Sequence, residues 1–441
     1  MKPNSNTLVS ITGPSGVGKS TVSKIIAICL GYQDTMILSG DDAHLWERGD
    51  ENWKFMTHLN PDSNDLKTEE EHLLSLKQGK SVIRSSYNHS TGKFSKPKKI
   101  ESKKNIVYEG LHAMYGPLAN LADISFYIDV EPSLKNEWKI SRDSKKRGYS
   151  IHQIVKTIEN RKKDETKFIQ PQKNLCDVVL KFRKTLEGKI TLSFDYNNPE
   201  LTWLINKIKN LYSLLGEFIF VSKRISNNID LCQDKGGNLS FKFENVIVIT
   251  ESGASFDKID YFEGFGFYDL SGKSVFANQR KPSMEIDSHL KLGPCCLHTH
   301  PLHVLAILCS QECDSIISKL GLDVELLSYL TPGEKTFKNI QFHKNVFLKN
   351  HGMFISRDNM IQALEDSIEL DNLFKKYLSK VSKNKNYLYP DAFVLSHENR
   401  FYEAYIKKLI DSAGLTPKVL SKKDLKTLNK MEEENYRRSL K

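Results

Sequence analysis

Gly13-Pro14-Ser15-Gly16-Val17-Gly18-Lys19-Ser20 decides how the first half of this chain is read. The stretch satisfies G-x-x-x-x-G-K-[ST] and lies between an apolar run (Leu8, Val9, Ile11) and a helix-like segment from Thr21 to Leu30. Strand before and helix after are the context that the pattern requires. The glycines let the backbone turn sharply and bring successive N–H groups round a phosphate, while Lys19 adds a point charge and Ser20 a hydroxyl for Mg²⁺. The following helix points its positive end at the same anion. The nucleotide-binding set is then Gly13, Ser15, Gly16, Gly18, Lys19, Ser20 and Thr21, with ATP and Mg²⁺ as the expected cofactors.

Composition sets the outer limits. A chain of 441 residues exceeds one ordinary core, so roughly two or three domains are expected. Hydrophobic residues at 39% beside charged residues at 27% describe a folded globular chain, not a disordered one. No apolar run approaches the roughly 18 residues of a membrane helix. The short polar start, Met1 to Thr7, leads directly into the first strand and is read as untargeted, hence cytoplasmic. The seven cysteines show no C-x-x-C spacing and read as reduced thiols, most of them buried. A net charge of +10 raises the question of nucleic acid. The lysines are spread throughout, and no aromatic residues interleave with the basic clusters to stack bases, so anionic small molecules account for the sign better.

The second apolar run, Thr35 to Ser39, ends in Gly40-Asp41-Asp42-Ala43-His44. In an open parallel sheet, ligands bind beyond the carboxyl ends of strands, so an acid here faces the phosphate loop and can accept a hydroxyl proton during phosphoryl transfer. A paired Asp can equally be a helix cap or a surface turn. Ile106-Val107-Tyr108 is a short buried-strand pattern, and Glu109 at its end would lie beside the Mg²⁺ that Ser20 holds. Arg142, Lys145, Lys146 and Arg147 fall on a helical stretch closed by Gly148, either a lid over the transferring phosphoryl group or a solvated face.

Asp41 to Arg48, Thr57-His58-Leu59-Asn60-Pro61, Val107 to His112, Asp129 to Lys135, Arg142-Asp143 and Arg147-Gly148-Tyr149 stand in an order that resembles the phosphoribulokinase branch of the phosphoribulokinase/uridine kinase family, from about residue 7 to about 175. The resemblance implies a P-loop kinase fold with Asp41 as general base, Glu109 as the acid beside the metal, Asp143 near metal or acceptor, and His44, Arg48, Arg142 and Arg147 as substrate-binding residues. Tyr87 to Phe94 is read as this chain's own interruption where the acceptor should be recognised, so the acceptor stays open between a sugar or sugar phosphate and a nucleoside of the uridine type.

Turn-rich segments flank an alternating strand, Lys189 to Phe194, assigned to the edge of the first domain. From Pro199, Leu201, Leu204, Ile205, Ile208, Leu211, Leu214 and Leu215 recur at helical spacing and begin a new core. The expected domains are 1–197, 198–415 and a basic helical tail, 416–441. Within the second, Cys295-Cys296-Leu297-His298-Thr299-His300-Pro301 places two histidines on one face of a strand. His351, in Asn350-His351-Gly352, could complete three-nitrogen coordination with an open position, the catalytic form of a zinc site. Lys281 to Glu285 supplies a carboxylate. His289, His303 and His343 lack this spacing and read as structural.

Gly236-Gly237-Asn238-Leu239-Ser240, Ile249 to Gly253, Pro282-Ser283-Met284-Glu285, His298-Thr299-His300-Pro301 and Asn350-His351-Gly352 resemble the class II aldolase/adducin family in order, over about residues 200 to 380. The resemblance implies an α/β domain, a central sheet flanked by helices, and a divalent ion, usually Zn²⁺, on His298, His300 and His351. It makes Glu285 the catalytic acid/base and Asn238, Ser252, Gly253 and Ser283 the cradle of a substrate phosphate. It also implies a homo-oligomer, a tetramer through this domain. The expected whole is a kinase of a sugar or sugar phosphate fused to a metal-dependent aldolase or lyase. The alternatives are a nucleoside kinase with an epimerase, or a kinase with a non-catalytic oligomerisation module.

Overall fold

The computed structural model describes residues 5–186, 190–233, 236–261, 263–277, 280–331, 345–378 and 400–431, with backbone only at 145–147, 400 and 401. The side chains of Lys145, Lys146 and Arg147, His343 and the end of the basic tail lie outside these residues. The chain divides into two compact units, Met1–Leu211 and Tyr212–Lys441.

The first unit alternates strands and helices. In chain order come β1 (Thr7–Thr12), α1 (Lys19–Cys29), β2 (Thr35–Ser39), α2 (Leu66–Lys77), β3 (Val82–Arg84), β4 (Tyr87–Asn88), β5 (Lys93–Phe94), β6 (Lys98–Ile100), β7 (Asn105–Glu109), β8 (Ile124–Val130), α3 (Pro132–Arg147), α4 (Ile151–Asp164), β9 (Val178–Lys184) and β10 (Ile190–Tyr196). The main sheet has the order β10-β9-β8-β1-β7-β2. Its first five strands in chain order are parallel, and β10 joins antiparallel at the edge with alternating exposure. Central strands covered on both faces read as continuous apolar runs, and Leu8, Val9, Ile11, Ile106, Val107 and Ile128 are fully buried. α1 closes over the sheet with Val22, Ile25, Ile26 and Cys29. Because β1, β7 and β2 are parallel neighbours, their carboxyl ends share one edge, with Glu109 in register with Ile11 on one side and Ser39 on the other. β4 and β5 form a small hairpin.

The apolar periodicity from Leu201 becomes α5 (Thr202–Ser226), whose Leu204, Ile205, Ile208, Leu211 and Leu215 are all fully buried. The second unit follows with β11 (Asn238–Phe243), β12 (Val246–Thr250), β13 (Phe265–Asp269), α6 (Ile286–Lys291), β14 (Cys295–Thr299), α7 (Leu302–Leu308), α8 (Cys313–Lys319), β15 (Glu325–Leu327), β16 (Asn345–Leu348), β17 (Gly352–Arg357), α9 (Met360–Tyr377), α10 (Arg400–Ser412) and α11 (Lys422–Lys430). The sheet order is β13-β12-β11-β14-β17-β16-β15, antiparallel except between β15 and β16. Register places Asn238 opposite His298, and His298 opposite Phe354, so the start of β11, the end of β14 and the start of β17 meet at one end of the sheet. α11 carries the lysines of the tail and begins at a capping box of Ser421 and Asp424.

Candidate active sites

The first site is built on the shared strand edge. Gly13, Gly16 and Gly18 all have positive φ, which lets the loop curl back to the start of α1. Lys19 Nζ folds onto the loop, donating to the carbonyls of Gly13 at 3.0 Å and Pro14 at 2.9 Å. Burial pulls its ammonium below the usual range, against the raising effect of Glu109 and Asp41. Ser20 Oγ donates to Glu109 Oε1 at 2.8 Å, so the hydroxyl and the carboxylate expected to share a metal face one another. Burial pushes the Glu109 carboxyl up, with Lys19 opposing.

Asp41 and Asp42, adjacent in sequence, have different surroundings. Asp42 accepts from the Tyr87 backbone N–H at 2.7 Å and from Arg84 at 3.1 Å, and Arg84, buried beneath, also pairs with Glu69 at 3.2 Å. That network ties the hairpin to the end of β2, the turn-stabilising role open to a paired Asp. Asp41 stays 31% exposed, 3.9 Å from His44 Nε2 and 3.1 Å from His89 Nε2. His44 packs edge-on against Trp53, His58 and Tyr87. Arg48 points its guanidinium at the hairpin, donating to the His89 carbonyl at 2.5 Å. Tyr87 to Phe94 is thus no bare interruption: it folds as β4 and β5 and delivers His89 to Asp41.

Arg142 Nε donates to the buried Asp143 at 2.8 Å on α3. One turn earlier, Lys139 passes unremarked in the sequence, yet it is only 4% exposed and packs on the phosphate loop, its Cβ 3.2 Å from where a Gly16 Cβ would stand. Burial, with Arg161 and Arg142 nearby, lowers its ammonium to about 7.

The second site lies where β11, β14 and β17 meet. His298 lies near the end of β14 and His300 just beyond it, and His351 occupies the tight turn between β16 and β17. Their ring nitrogens lie within 4.8 Å of one another, and all three residues are buried. His298 Nδ1 lies 2.9 Å from the Met353 carbonyl, which fixes the proton there and leaves Nε2 as a lone pair facing the cluster. His298 stacks on Phe354 with centroids 4.0 Å apart. These donors suit a divalent ion of the zinc type, three nitrogens with room for a further ligand. Glu285 reaches the same centre, 3.3 Å from His298 Nε2 and 3.1 Å from His351 Nε2. Burial opposes its charge, while hydrogen bonds from His351 and Asn238 favour it, and the carboxyl lies well below the usual carboxylate range.

Backbone bonds from Ser252 N to the Lys281 carbonyl, 3.0 Å, and from Ser283 N to the Thr250 carbonyl, 2.9 Å, bring Ser252, Gly253 and Ser283 alongside one another before Glu285. Asn238, expected in the phosphate cradle, stands beside the same centre: Nδ2 donates to Glu285 Oε2 at 2.7 Å and Oδ1 bonds His289. A second group, Asp230, His303 and Asp371, also clusters. Asp371 there accepts from His303 Nδ1 at 2.7 Å and from the His303 backbone N–H at 3.0 Å, a cap on α7.

Residues 8–187 match the model of the phosphoribulokinase / uridine kinase family, and residues 221–378 match that of the class II aldolase and adducin N-terminal domain. A phosphoribulokinase from Synechocystis sp. is 35% identical over 179 residues, 40% of this chain and 54% of that protein. The chloroplastic phosphoribulokinase of Spinacia oleracea is 34% identical over 196 residues, 40% of this chain and 49% of that protein. The chain spans about half the length of these curated relatives. Among solved structures, the N-terminal class II aldolase domain of a conserved protein from Thermoplasma acidophilum is similar at 20% identity and a TM-score of 0.34, covering 37% of this chain and 93% of that one. The chain therefore joins a P-loop kinase-like domain to a class II aldolase-like domain. No helix among the described residues is long and apolar enough to cross a membrane.

Proposed function

We propose that this chain is a bifunctional carbohydrate enzyme, one domain, 1–197, transferring the γ-phosphoryl group of ATP to a sugar or sugar phosphate and the other, 198–415, cleaving a phosphorylated sugar with the help of a divalent ion, zinc in the first instance. The observation that carries the kinase reading is the common edge where Glu109 at the end of β7 and Asp41 just past the end of β2 meet Lys19 and Ser20 at the start of α1. Asp41 takes the proton of the attacking hydroxyl, Glu109 and Ser20 would hold Mg²⁺, and Lys19, Lys139 and Arg142 balance charge on the phosphates. His44, His89 and Arg48, with the expected Arg147, shape the acceptor pocket, and Asp143 orients Arg142.

In the second domain His298, His300 and His351 would hold the ion, which when bound polarises the oxygens of a ketose or ketol substrate. Glu285 moves the proton, and Ser252, Gly253 and Ser283 receive the phosphate through their backbone and hydroxyl groups. Two phosphate-handling sites in one chain support a sequential use, the product of one domain feeding the other. The assembly would be a homo-oligomer, a tetramer through the second domain, acting in the cytoplasm.

A screen of sugars, sugar phosphates and nucleosides against ATP, using the full chain, tests the first half. ADP release with a sugar or sugar phosphate is expected; rapid turnover of uridine and none of sugars makes the domain a nucleoside kinase. Product analysis before and after chelation and zinc return, with Mg²⁺ resupplied throughout, tests the second. Absence of a stoichiometric ion, with no loss in His298→Ala, would make that domain a binding module.

A further inference from the structure

Behind Glu285 the second domain buries a polar chain that the cleavage chemistry does not by itself demand. Ser240 stands two residues after Asn238 on β11 and so on the same face, and His289 lies one turn after Glu285 on α6. Ser240 Oγ lies 2.7 Å from His289 Nδ1, His289 Nε2 bonds Asn238 Oδ1, and Asn238 Nδ2 donates to Glu285 Oε2 at 2.7 Å. The exposures of these four, 2% for Ser240, 0% for His289, 5% for Asn238 and 8% for Glu285, exclude bulk water from settling their hydrogen bonds.

The direction of every bond in this chain can be deduced. Asn238 turns its Nδ2, not its Oδ1, to Glu285 Oε2, so the NH₂ donates to the carboxylate. Its carbonyl oxygen is then an acceptor, so His289 must carry its proton on Nε2. The bare Nδ1 then takes the hydroxyl proton of Ser240. Burial lowers the His289 imidazolium to about 4, so the ring is neutral and holds a single N–H, as this polarity requires. The opposite tautomer would turn an Nε2 lone pair toward Asn238. The amide would then flip and set its carbonyl oxygen against the carboxylate, two acceptors without a proton between them.

We propose that His289 is a positioning residue for Glu285: with Ser240 selecting its tautomer, it locks the Asn238 amide NH₂-first against the carboxylate and holds that carboxylate beside the His298, His300 and His351 cluster. The proposal rests on the reading of Glu285 as the proton-moving group. It also commits one N–H of Asn238 to the carboxylate, so Asn238 links the His289 ring to the base.

The test compares His289→Phe, which keeps a ring but no donor, with His289→Gln, whose amide can still donate to Asn238 Oδ1, and with Ser240→Ala. Each is made in the full zinc-loaded chain with selectively ¹⁵N-labelled asparagine, the Asn238 signal being assigned from Asn238→Ala. In the wild type the Asn238 NH₂ should be slow to exchange with solvent. His289→Phe should lose that protection and lower the kcat of cleavage by about 10- to 100-fold with KM and zinc content little changed, and His289→Gln should restore much of both. Ser240→Ala should fall between and stands in if the Phe chain does not fold. Equal loss in the Phe and Gln variants, or full protection and kcat in Ser240→Ala and His289→Phe, overturns the proposal. Should Glu285→Gln itself leave cleavage unaffected, the underlying assignment of the base has failed instead, whatever the His289 variants do.

Discussion

His89 Nε2 lies 3.1 Å from Asp41 Oδ2, so a residue of the β4–β5 hairpin shares a hydrogen bond with the acid at the end of β2. Burial favours the neutral form of Asp41, but the His89 hydrogen bond and the charges of His44, His89 and Lys19 outweigh it and hold the carboxyl below its usual range. A general base works in its deprotonated form. His89→Ala should therefore raise the Asp41 pKa and move the acid limb of kcat/KM for phosphoryl transfer to higher pH; an unmoved limb would leave His89 to acceptor binding alone. Asp41→Asn should lower kcat by about 10²- to 10⁴-fold while calorimetry finds nucleotide affinity unchanged. Surviving turnover would mean that another group takes the proton.

Lys139 gives the nucleotide site a second pH signature. Its ammonium is lowered to about 7 by burial and by the neighbouring Arg161 and Arg142. A triphosphate against it must raise that value, because the anion stabilises the charged form. At pH 8 the free group is mostly neutral and the bound one protonated, so ATP binding should take up close to one proton; well below pH 7 both are protonated and uptake should vanish. Calorimetry in buffers of different ionisation enthalpy reads this directly. Lys139→Met should abolish the uptake at pH 8, and an unchanged uptake would place the titrating group elsewhere.

Much of this was legible because the informative residues follow strands. Gly13 to Ser20, Glu109 and the His298/His300 pair each sit at the end of an apolar run, so chain order alone places them at a sheet edge. What escaped depends on contact across the sequence. Nothing in Asp41-Asp42 tells which carboxylate faces the phosphate loop; Arg84, more than 40 positions on, decides it by burying itself against Asp42. Lys139 is one basic residue among 64, and only the packing of α3 on Gly16 sets it apart. His289 reads as structural by spacing, and its bond to Asn238 depends on α6 lying over β11.

The His298, His300 and His351 cluster depends on a residue without a side chain. A Cβ at Gly352 would stand 2.6 Å from both the Thr299 carbonyl oxygen and His300 Cδ2, and 3.1 Å from His298 Cε1. No rotamer avoids a backbone oxygen, so Gly352→Ala must push β17 from β14 or turn the imidazoles. Overpacking of this kind costs about 1–3 kcal/mol, and a displaced ligand should weaken ion binding by at least about 10-fold, as loss of supporting contacts commonly does. Elemental analysis after gel filtration should find the variant depleted of zinc, with ATP-dependent phosphoryl transfer retained. A full complement of zinc would mean that the histidines do not hold the ion in this arrangement.

Glu285 separates coordination from proton transfer. Its two oxygens face different imidazoles, Oε2 toward His298 at 3.3 Å and Oε1 toward His351 at 3.1 Å, and Asn238 anchors the first of them. Glu285→Gln keeps the volume and an oxygen for Asn238 to donate to, but removes the basic site. If Glu285 carries the proton, zinc content should stay near the wild-type value while cleavage falls by about 10²- to 10⁴-fold, with phosphoryl transfer in the first domain untouched. Zinc lost together with activity would make the carboxylate chiefly a ligand. An unaffected cleavage rate would move the proton to another group, and because a bound ion takes up the lone pairs of His298, His300 and His351, that group would be none of these three.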